Sequence, residues 1–258
     1  MTEIADEQAA SPVTAAILVI GDEILSGRTK DKNIGYIAEY LTAIGVDPRE
    51  VRVVPDIEAE IVAAVNALRR RYDYVFTTGG IGPTHDDITA DSVAVAFGVP
   101  IDVDPRALAM LQERFAATGT EMNAARLRMT RIPQGAELVA NPVSGAPGFW
   151  IDNVIVMAGV PAIMQAMLDV VAPKLRTGTK MLSESIRADA KEGDVGTELG
   201  EVAAAFPGAT IGSYPFFDEE RGPNTNIVIR SRDLHTLETV RAAVEAMLVR
   251  VKTRNGQK

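Results

Sequence analysis

Short apolar runs alternate with segments of helical spacing in the first part of this 258-residue chain. Residues 15–20, 51–54 and 74–77 are mainly apolar, which is typical of strands that are buried on both faces of a parallel sheet. Residues 33–44 and 57–71 place apolar side chains every three or four positions, which predicts helices between those strands. This β-α-β-α-β order predicts an α/β fold, a doubly wound and mainly parallel sheet with right-handed crossovers.

The pattern then becomes less regular. Helical spacing predicts three further helices over residues 88–97, 105–117 and 123–130. Prolines and glycines make residues 132–150 a region of turns with a hairpin. A fourth buried strand is predicted over residues 154–157, and a helix follows it.

The pattern changes again near residue 177, which predicts a second, smaller domain. Strands are expected over residues 181–187, 210–214 and 226–231, and helices over 194–206 and 234–251. The resulting β-α-β-β-α order describes an α+β domain.

We therefore divide the chain into three parts. These are a disordered tail over residues 1–13, an α/β domain over 14–175 and a small α+β domain over 176–258.

Composition narrows the class of protein. The chain is 47% hydrophobic and 24% charged, as is usual for globular domains, and it has no cysteine for disulfide or thiolate chemistry. Its first residues are acidic and polar, unlike a signal or transit peptide, and no apolar run approaches the roughly 20 residues of a membrane span. We therefore expect a cytoplasmic protein with no membrane partner.

The net charge of −9 is unevenly distributed. Residues 1–175 contain 14 basic and 23 acidic side chains, whereas residues 176–258 contain 12 of each. Nucleic-acid binding usually needs a basic face, so this distribution argues against a nucleic-acid partner. If the α/β domain binds phosphates, backbone amides and a metal must contribute more than basic side chains do.

Residues 77–89, with the sequence TTGGIGPTHDDIT, form the most informative motif. A glycine-rich turn follows a predicted strand directly, so backbone N–H groups can approach an anion near the N-terminus of the next helix. Asp86 and Asp87 add carboxylates, which suits a phosphate held together with a divalent cation. Two other interpretations remain open: the glycines form only a tight turn, and Asp87 caps the helix that follows.

Four segments are expected at the carboxyl edge of the sheet, where ligands bind in open α/β folds. They are residues 21–27, 55–56, 77–87 and 158–161.

The carboxylates of these segments have alternative interpretations. Asp22 and Glu23 are functional or merely solvated, and Asp56 is functional or a helix cap. His85 is a metal or phosphate ligand or a surface histidine, and the loop around Ser144 is a flexible cover for a ligand or only a turn.

Five stretches of residues 14–175 carry a family resemblance. In chain order they are AAILVIGDEILSGRTKDKNIGYIAEYLTAIG, VVPD, TTGGIGPTHDDITADSVA, NPVSGAPGFW and MAGVP. Together they resemble the molybdenum-cofactor-biosynthesis (MoaB/Mog) domain, in particular its version at the N-terminus of competence/damage-inducible protein CinA. The small domain more weakly resembles the KH-type domain that follows in CinA. The amidohydrolase domain of full-length CinA has no counterpart in this sequence, so nicotinamide-nucleotide deamidation is not implied.

The resemblance implies two chemistries. Mog-type members adenylylate molybdopterin with ATP and Mg²⁺. CinA-type members, and the related domain of eukaryotic FAD synthetases, are associated with hydrolysis of nucleotide pyrophosphates such as ADP-ribose or FAD. That activity uses a divalent metal (Mg²⁺, Mn²⁺ or Co²⁺) and potassium. We expect the hydrolase, with molybdopterin binding or adenylyl transfer as the alternative, and a homo-oligomer, since related domains are commonly dimers or trimers.

The resemblance also assigns residues. Asp56 and Asp87 match functionally important aspartates of the Mog family, whereas the Gly21-Asp22-Glu23 form is shared with CinA and not with Mog. The predicted catalytic residues are Asp87, Asp56 and Glu23, and the predicted metal ligands are Asp86 and Asp87. The predicted ligand- or phosphate-binding residues are Gly21, Asp22, Ser26, Gly27, Thr78, Gly79, Gly80, Gly82, Pro83, Thr84, Ser144, Gly145 and Gly159.

Two features of the small domain also need a test. Residues 193–196 formally match the GXXG loop with which a KH domain grips RNA, although an acidic residue there opposes phosphate binding. Phe216 and Phe217 are interpreted as core residues, with an assembly surface as the alternative.

Overall fold

The computed structural model describes residues 11–256, and the chain divides after Gly178 into two compact units, unit 1 and unit 2. The predicted boundary between residues 175 and 176 lies close to this division. Most of the predicted tail, residues 1–13, lies outside the described residues. Its last residue, Val13, is not part of a tail: it pairs with Val46 in the main sheet and is 1% exposed.

Unit 1 alternates strands and helices. Its strands are β1 (Val13–Ile20), β2 (Val46–Val54), β3 (Tyr74–Thr78), β4 (Ile101–Val103), β5 (Arg131–Pro133), β6 (Glu137–Val139), β7 (Gly148–Ile151) and β8 (Val154–Met157). Its helices are α1 (Asp22–Leu25), α2 (Asn33–Ala43), α3 (Glu58–Arg69), α4 (Thr89–Phe97), α5 (Pro105–Thr118), α6 (Ala124–Arg128) and α7 (Pro161–Val171).

Six strands form the main sheet in the order β2-β1-β3-β8-β7-β6. The first four are parallel, and β7 and β6 are antiparallel additions at one end, while β4 and β5 form a separate pair. This arrangement confirms the doubly wound, mainly parallel α/β fold. Among the described helices, none combines the length and apolar character that a membrane crossing requires.

Strand β1 shows why the sheet is buried on both faces. Successive side chains of a strand point to opposite faces, so Leu18 packs in the cluster that contains Leu68 of α3, and Ile17 packs in the cluster that contains Leu41 of α2 and Leu168 of α7. Two apolar layers therefore hold the strands in register and fix where their carboxyl ends emerge.

Strand β2 is longer than predicted and begins at Val46 rather than residue 51. Its added residues include the polar Asp47 and Arg49 together with Pro48, which obscure the strand pattern. Proline is tolerated there because β2 is an edge strand and its free side needs no ladder hydrogen bond.

Asp73 links the beginnings of β1 and β3. Its Oδ2 atom accepts hydrogen bonds of 2.8 Å from both the backbone N–H and the hydroxyl of Thr14, and its Oδ1 lies 2.6 Å from Nη2 of Arg176. Burial alone would raise the pKa of Asp73, but the Thr14 hydrogen bonds and the Arg176 charge together hold that pKa below its usual value.

Replacing Asp73 with Asn should lower the free energy of unfolding of unit 1 by about 1 kcal/mol at pH 7, a modest loss because the carboxylate is partly exposed and screened. A carboxylate whose pKa is lower in the folded state stabilises that state fully above the unfolded-state pKa of about 3.9. This stabilisation is lost as pH falls through the folded-state pKa. The stability difference between wild type and variant should therefore shrink below about pH 4.

Urea unfolding followed by fluorescence can measure this, since Trp150 in β7 is the single tryptophan of the chain and reports on unit 1. Asp102→Asn, at an exposed residue of β4, is the matched control. An equal loss at pH 7 and pH 3 would contradict the linkage to the carboxylate.

Unit 2 has the predicted β-α-β-β-α order. Its elements are β9 (Leu182–Arg187), α8 (Glu192–Ala205), β10 (Thr210–Asp218), β11 (Gly222–Ser231) and α9 (Leu234–Gly256). The strands form an antiparallel sheet in the order β10-β11-β9, and Ile227 and Ile229 pack in one apolar cluster with Val195, Val240 and Val244 of the two helices.

Unit 2 corrects two expectations. Gly193 and Gly196 lie within α8, so the GXXG match is helical and does not form the loop that a KH domain uses. Phe217 is 73% exposed, so the core interpretation is wrong for this residue, and Phe216 is only half-buried beside the guanidinium of Arg187 at 5.3 Å. Both phenylalanines lie on β10, an edge strand of the three-stranded sheet.

Candidate functional site at the carboxyl edge of the sheet

The structure brings the ends of β2, β1, β3 and β8 to one edge because these four strands are parallel neighbours. The backbone N–H of Gly21 donates to the carbonyl of Val54 at 3.1 Å, and the N–H of Gly79 donates to the carbonyl of Met157 at 3.2 Å. The four segments that the sequence analysis singled out therefore lie side by side.

Gly79 and Gly80 follow β3 with φ angles of 112° and 65°, which side chains other than glycine rarely adopt. A Cβ at Gly79 would lie 2.0 Å from the carbonyl oxygen of Ile20, and one at Gly159 would lie 3.2 Å from the Cα of Gly79. The fold itself requires Gly79, because three strand ends pack closely there.

Gly80 lies close to both the side chain of Thr89 and the carboxylate of Asp56. A Cβ at this position would lie 2.2 Å from Oγ1 of Thr89 and 3.6 Å from Oδ1 of Asp56. The hydroxyl of Thr89 donates to the carbonyl of Gly79 at 3.0 Å, and its N–H donates to the carbonyl of Gly80 at 3.0 Å. Thr89, which is buried and was not among the predicted site residues, thus fixes the glycine-rich turn against α4.

Asn33 is a second residue that the sequence analysis missed. Its side-chain amide donates to the hydroxyl of Thr78 and to the carbonyl of Gly159, both at 2.8 Å, although Asn33 itself begins α2 and is 5% exposed. The hydroxyl of Thr78 donates onward to the carbonyl of Ala158 at 2.9 Å. Asn33 therefore joins the ends of β3 and β8 from an adjacent helix.

Replacing Asn33 with Ala should lower the free energy of unfolding of unit 1 by about 2 kcal/mol, because the buried hydroxyl of Thr78 and the carbonyl of Gly159 would each lose a hydrogen bond. Urea unfolding followed through Trp150 would measure the loss. Asn66→Ala, at a partly buried residue of α3 whose side chain accepts only from Arg69, should change the same quantity by less than about 0.5 kcal/mol. Equal losses of unfolding free energy in the two variants would show that the hydrogen bonds of Asn33 stabilise unit 1 no more than the single hydrogen bond of Asn66 does.

The helix-cap interpretation is wrong for both Asp56 and Asp87. Helices α3 and α4 begin one residue later than predicted, so their N-cap residues are Ile57 and Ile88, which make no side-chain cap. The two carboxylates instead accept hydrogen bonds from loop donors. Asp56 Oδ2 accepts from the N–H of Asp22 at 2.9 Å, and Asp87 Oδ2 accepts from the N–H and hydroxyl of Thr84 at 2.8 and 2.5 Å.

Asp56 lies in an electrostatically unfavourable place. Burial is the largest cause that raises its pKa, and the nearby carboxylates of Asp22, Glu23 and Asp86 raise it further, which outweighs the hydrogen bond from the Asp22 amide. The Thr84 hydroxyl has one proton, and its distance of 2.5 Å to Asp87 Oδ2 favours Asp87 rather than the exposed Asp86 as the acceptor.

The other predicted residues take varied positions. Gly21 lies against the carboxylate of Glu23, since a Cβ at Gly21 would be 2.5 Å from Oε2 of Glu23. The Ser26 hydroxyl donates to the Glu23 carbonyl at 3.4 Å. Gly27 has a φ of 71° and open space around it. Pro83 is exposed, and the His85 side chain is 99% exposed, with Nδ1 at 3.8 Å from Asp86.

The contacts of the predicted cover loop are with its own turn and with α5. The Ser144 hydroxyl accepts from the side-chain amide of Asn141 at 2.5 Å, and a Cβ at Gly145 would lie 2.7 Å from Arg114. Pro147, further along the same loop, reaches the cleft that borders the glycine-rich turn.

That cleft contains two basic residues that the sequence analysis missed. It is narrow, with about 20 Å³ of internal space open to water, and is lined by Gly80, Gly82, Asp87, Arg128, Arg131 and Phe149 among others. Arg131 forms a two-pronged ion pair with Asp91 at 2.7 and 2.8 Å, and Arg128 donates to the backbone carbonyl of Asp87 at 3.3 Å. Three arginines within residues 126–131 of an otherwise acidic domain were the available signal.

The fold and this edge define a doubly wound α/β domain with a glycine-rich turn and nearby carboxylates, and comparison with known families specifies its class. Residues 16–177 match the family described as "probable molybdopterin binding domain", and residues 180–255 match the "FAD synthase, middle domain". The first match covers more than half of the chain, which therefore belongs to the probable molybdopterin-binding (MoaB/Mog) family.

Individual relatives agree with this assignment. A probable FAD synthase of Caenorhabditis briggsae is 32% identical over 92% of this chain and 50% of its own length. A CinA-like protein of Geobacter metallireducens is 36% identical over 76% of this chain and 50% of its own length. The chain thus spans half the length of these two relatives.

A solved structure supports the CinA branch. The chain is 34% identical to a crystallised CinA protein of Thermoplasma acidophilum whose function is unknown, with a TM-score of 0.58. The likeness covers 62% of this chain and 98% of that one. The predicted resemblance to the CinA version of the domain is confirmed.

Proposed function

We propose that unit 1 catalyses metal-dependent hydrolysis of a nucleotide pyrophosphate of the ADP-ribose or FAD type. The observation that carries this proposal is the position of Asp56, whose Oδ1 lies 3.6 Å from the Cβ position of Gly80 and so borders the anion-accepting turn. Backbone amides for phosphate oxygens and carboxylates for a cation thus share one edge.

The residues at this edge fit a metal ion that is coordinated partly by protein carboxylates and partly by phosphates of the substrate. Within residues 11–256, acidic and histidine side chains do not form a group of three that could hold a metal by themselves. Mg²⁺ is commonly held by one or two carboxylates together with substrate phosphates. Asp87, through the oxygen that Thr84 leaves free, would hold it together with Asp56, whose charge is crowded by neighbouring carboxylates.

A divalent cation there would neutralise phosphate charge and lower the pKa of water. Phosphate binding and proton transfer are carried out by residues of the protein. The amides of Gly80 and Gly82 donate to phosphoryl oxygens as negative charge develops on them. Glu23, half-buried next to Gly21, accepts a proton from the attacking water. The water oxygen forms a new P–O bond, the P–O–P bond breaks, and the bridging oxygen leaves with one of the two phosphate monoesters.

The names of related proteins support a flavin or adenine nucleotide as substrate. Unit 2 matches the middle domain of FAD synthases, and the relative from Caenorhabditis briggsae is named a probable FAD synthase. The alternative, molybdopterin binding or adenylyl transfer to it, is favoured by the description of the family that residues 16–177 match.

The experiment is a substrate panel. ADP-ribose, FAD and ATP are incubated with the purified chain and Mg²⁺, Mn²⁺ or Co²⁺, with and without K⁺, and nucleoside monophosphate is measured by chromatography. Metal-dependent release of AMP from ADP-ribose or FAD supports the hydrolase. Absence of turnover across the panel, together with tight binding of molybdopterin, would replace it with the pterin function.

A further inference from the structure

Arg128 lines the cleft beside the glycine-rich turn without a carboxylate partner. Arg131, three residues later, is neutralised by Asp91 through two contacts, whereas Arg128 takes part in none of the ion pairs found among the described residues. Its hydrogen bond to the protein runs from Nη2 to the carbonyl of Asp87, at 3.3 Å. The positive charge therefore lies next to the glycine-rich turn without a direct ion pair, in a cleft that Asp87 and Asp91 also line.

The Nε–H of Arg128 is also buried without a hydrogen-bond partner. Buried polar groups are almost always satisfied, and a charged donor left unpaired is costlier than a neutral one. A guanidinium has five N–H donors, and the Asp87 carbonyl uses one of them. The unpaired donor thus indicates a missing acceptor in the cleft.

Charge and shape decide what that acceptor is. Gly80 borders the cleft that contains Arg128, and it also borders Asp56, which does not line that cleft. A diphosphate that lies across Gly80 would place one phosphate near Arg128 and the other near Asp56 and the cation. Guanidinium groups bind phosphate oxygens through paired N–H donors, and the unpaired Nε supplies one of them.

We propose that Arg128 is a substrate-binding residue that holds the phosphate of the diphosphate distal to Asp56. The idea rests on the proposed function for the presence of a diphosphate substrate. Arg128 would attract an anionic substrate to an otherwise acidic site. Substrates with a single phosphate should therefore bind more weakly than diphosphates.

The test is calorimetric titration of the full chain with inorganic pyrophosphate, and separately with inorganic phosphate, in the presence of Mg²⁺. Arg128→Met should weaken pyrophosphate binding about tenfold or more, since one charged phosphate contact is lost. Arg128→Lys, which keeps the charge but loses the planar donors, should fall between that variant and wild type. Arg126→Met is the matched control: it lies on the same helix, stacks on Phe115 at 5.5 Å and should bind pyrophosphate as wild type does.

The outcomes separate this idea from the hydrolase. Pyrophosphate affinity that is unchanged in both Arg128 variants would overturn the assignment of Arg128, even if ADP-ribose or FAD is hydrolysed, and so would a wild type that does not bind pyrophosphate. Affinity that falls in Arg128→Met and is partly restored in Arg128→Lys, without turnover of any nucleotide, would support Arg128 and reject the hydrolase. Unfolding in urea, followed through Trp150, verifies that each variant is folded.

Discussion

Replacing Asp56 with Asn should reduce metal-dependent turnover of the preferred nucleotide by about a hundredfold or more, without destabilising unit 1. The loss of turnover follows from the loss of a negatively charged ligand next to Gly80. The stability should be retained because an asparagine oxygen can still accept the hydrogen bond from the Asp22 amide. Removal of the charge also relieves its repulsion from Asp22, Glu23 and Asp86.

The pH dependence gives a second readout of the same residue. Burial and neighbouring carboxylates raise the pKa of Asp56, so its ionised form destabilises the folded state, and the contribution of this carboxyl group to the stability of wild type should fall as pH rises through that pKa. Asp56→Asn should lack this loss.

Steady-state kinetics at saturating Mg²⁺ and urea unfolding at several pH values are the two measurements. Asp102→Asn, which removes an exposed carboxylate on β4, is the control and should leave both unchanged. Near-normal turnover by Asp56→Asn would remove this residue from the proposed mechanism, and Asp87→Asn would then be the next variant to measure.

Replacing Gly79 with Ala should destabilise unit 1 by about 3 kcal/mol or more. Two costs combine: alanine is strained at a φ of 112°, and its Cβ would lie 2.0 Å from the carbonyl oxygen of Ile20. Because backbone cannot rotate away as a side chain can, the ends of β1 and β3 would have to separate. We expect a large decrease in the urea midpoint, followed through Trp150.

Gly98→Ala separates the two costs. Gly98 ends α4 in the left-handed conformation with a φ of 66°, and nothing lies within 4 Å of its Cβ position. This variant should lose only the conformational part, about 1 kcal/mol. If Gly79→Ala were no less stable than Gly98→Ala, close packing of the strand ends would not be the reason for glycine at position 79.

The sequence predicted the framework of unit 1 well because its strongest signals are local. A run such as Ala15–Ile20 favours a buried strand wherever it occurs, and the helical spacing before Gly45 needs no knowledge of the partner surface. Elements with weak local patterns were missed or shortened. The polar first half of β2 is a strand only because it pairs with β1, and the three-residue β4 only because it pairs with β5.

The same division applies to the candidate site. The glycine-rich turn and the aspartates near it were recognisable because they are adjacent in sequence and follow predicted strands. Asn33 and Arg128 were missed because their contacts join distant parts of the chain: Asn33 meets Gly159, and Arg128 meets Asp87. The cap interpretation of Asp56 and Asp87 was wrong because a shift of one residue in a helix start changes which side chain can cap it.

By itself, the sequence determined the order of strands and helices, the doubly wound class and the family, since periodicity and short motifs encode all three. Only the tertiary structure decided that Gly79 is required by strand packing, that Asp56 is crowded by three other carboxylates, and that Arg128 lies unpaired beside the turn. The physical reason is that packing, burial and charge neighbourhoods depend on which distant segments meet. The sequence pattern indicates which face of a strand or helix each residue occupies, but only the folded structure determines which residues contact that face.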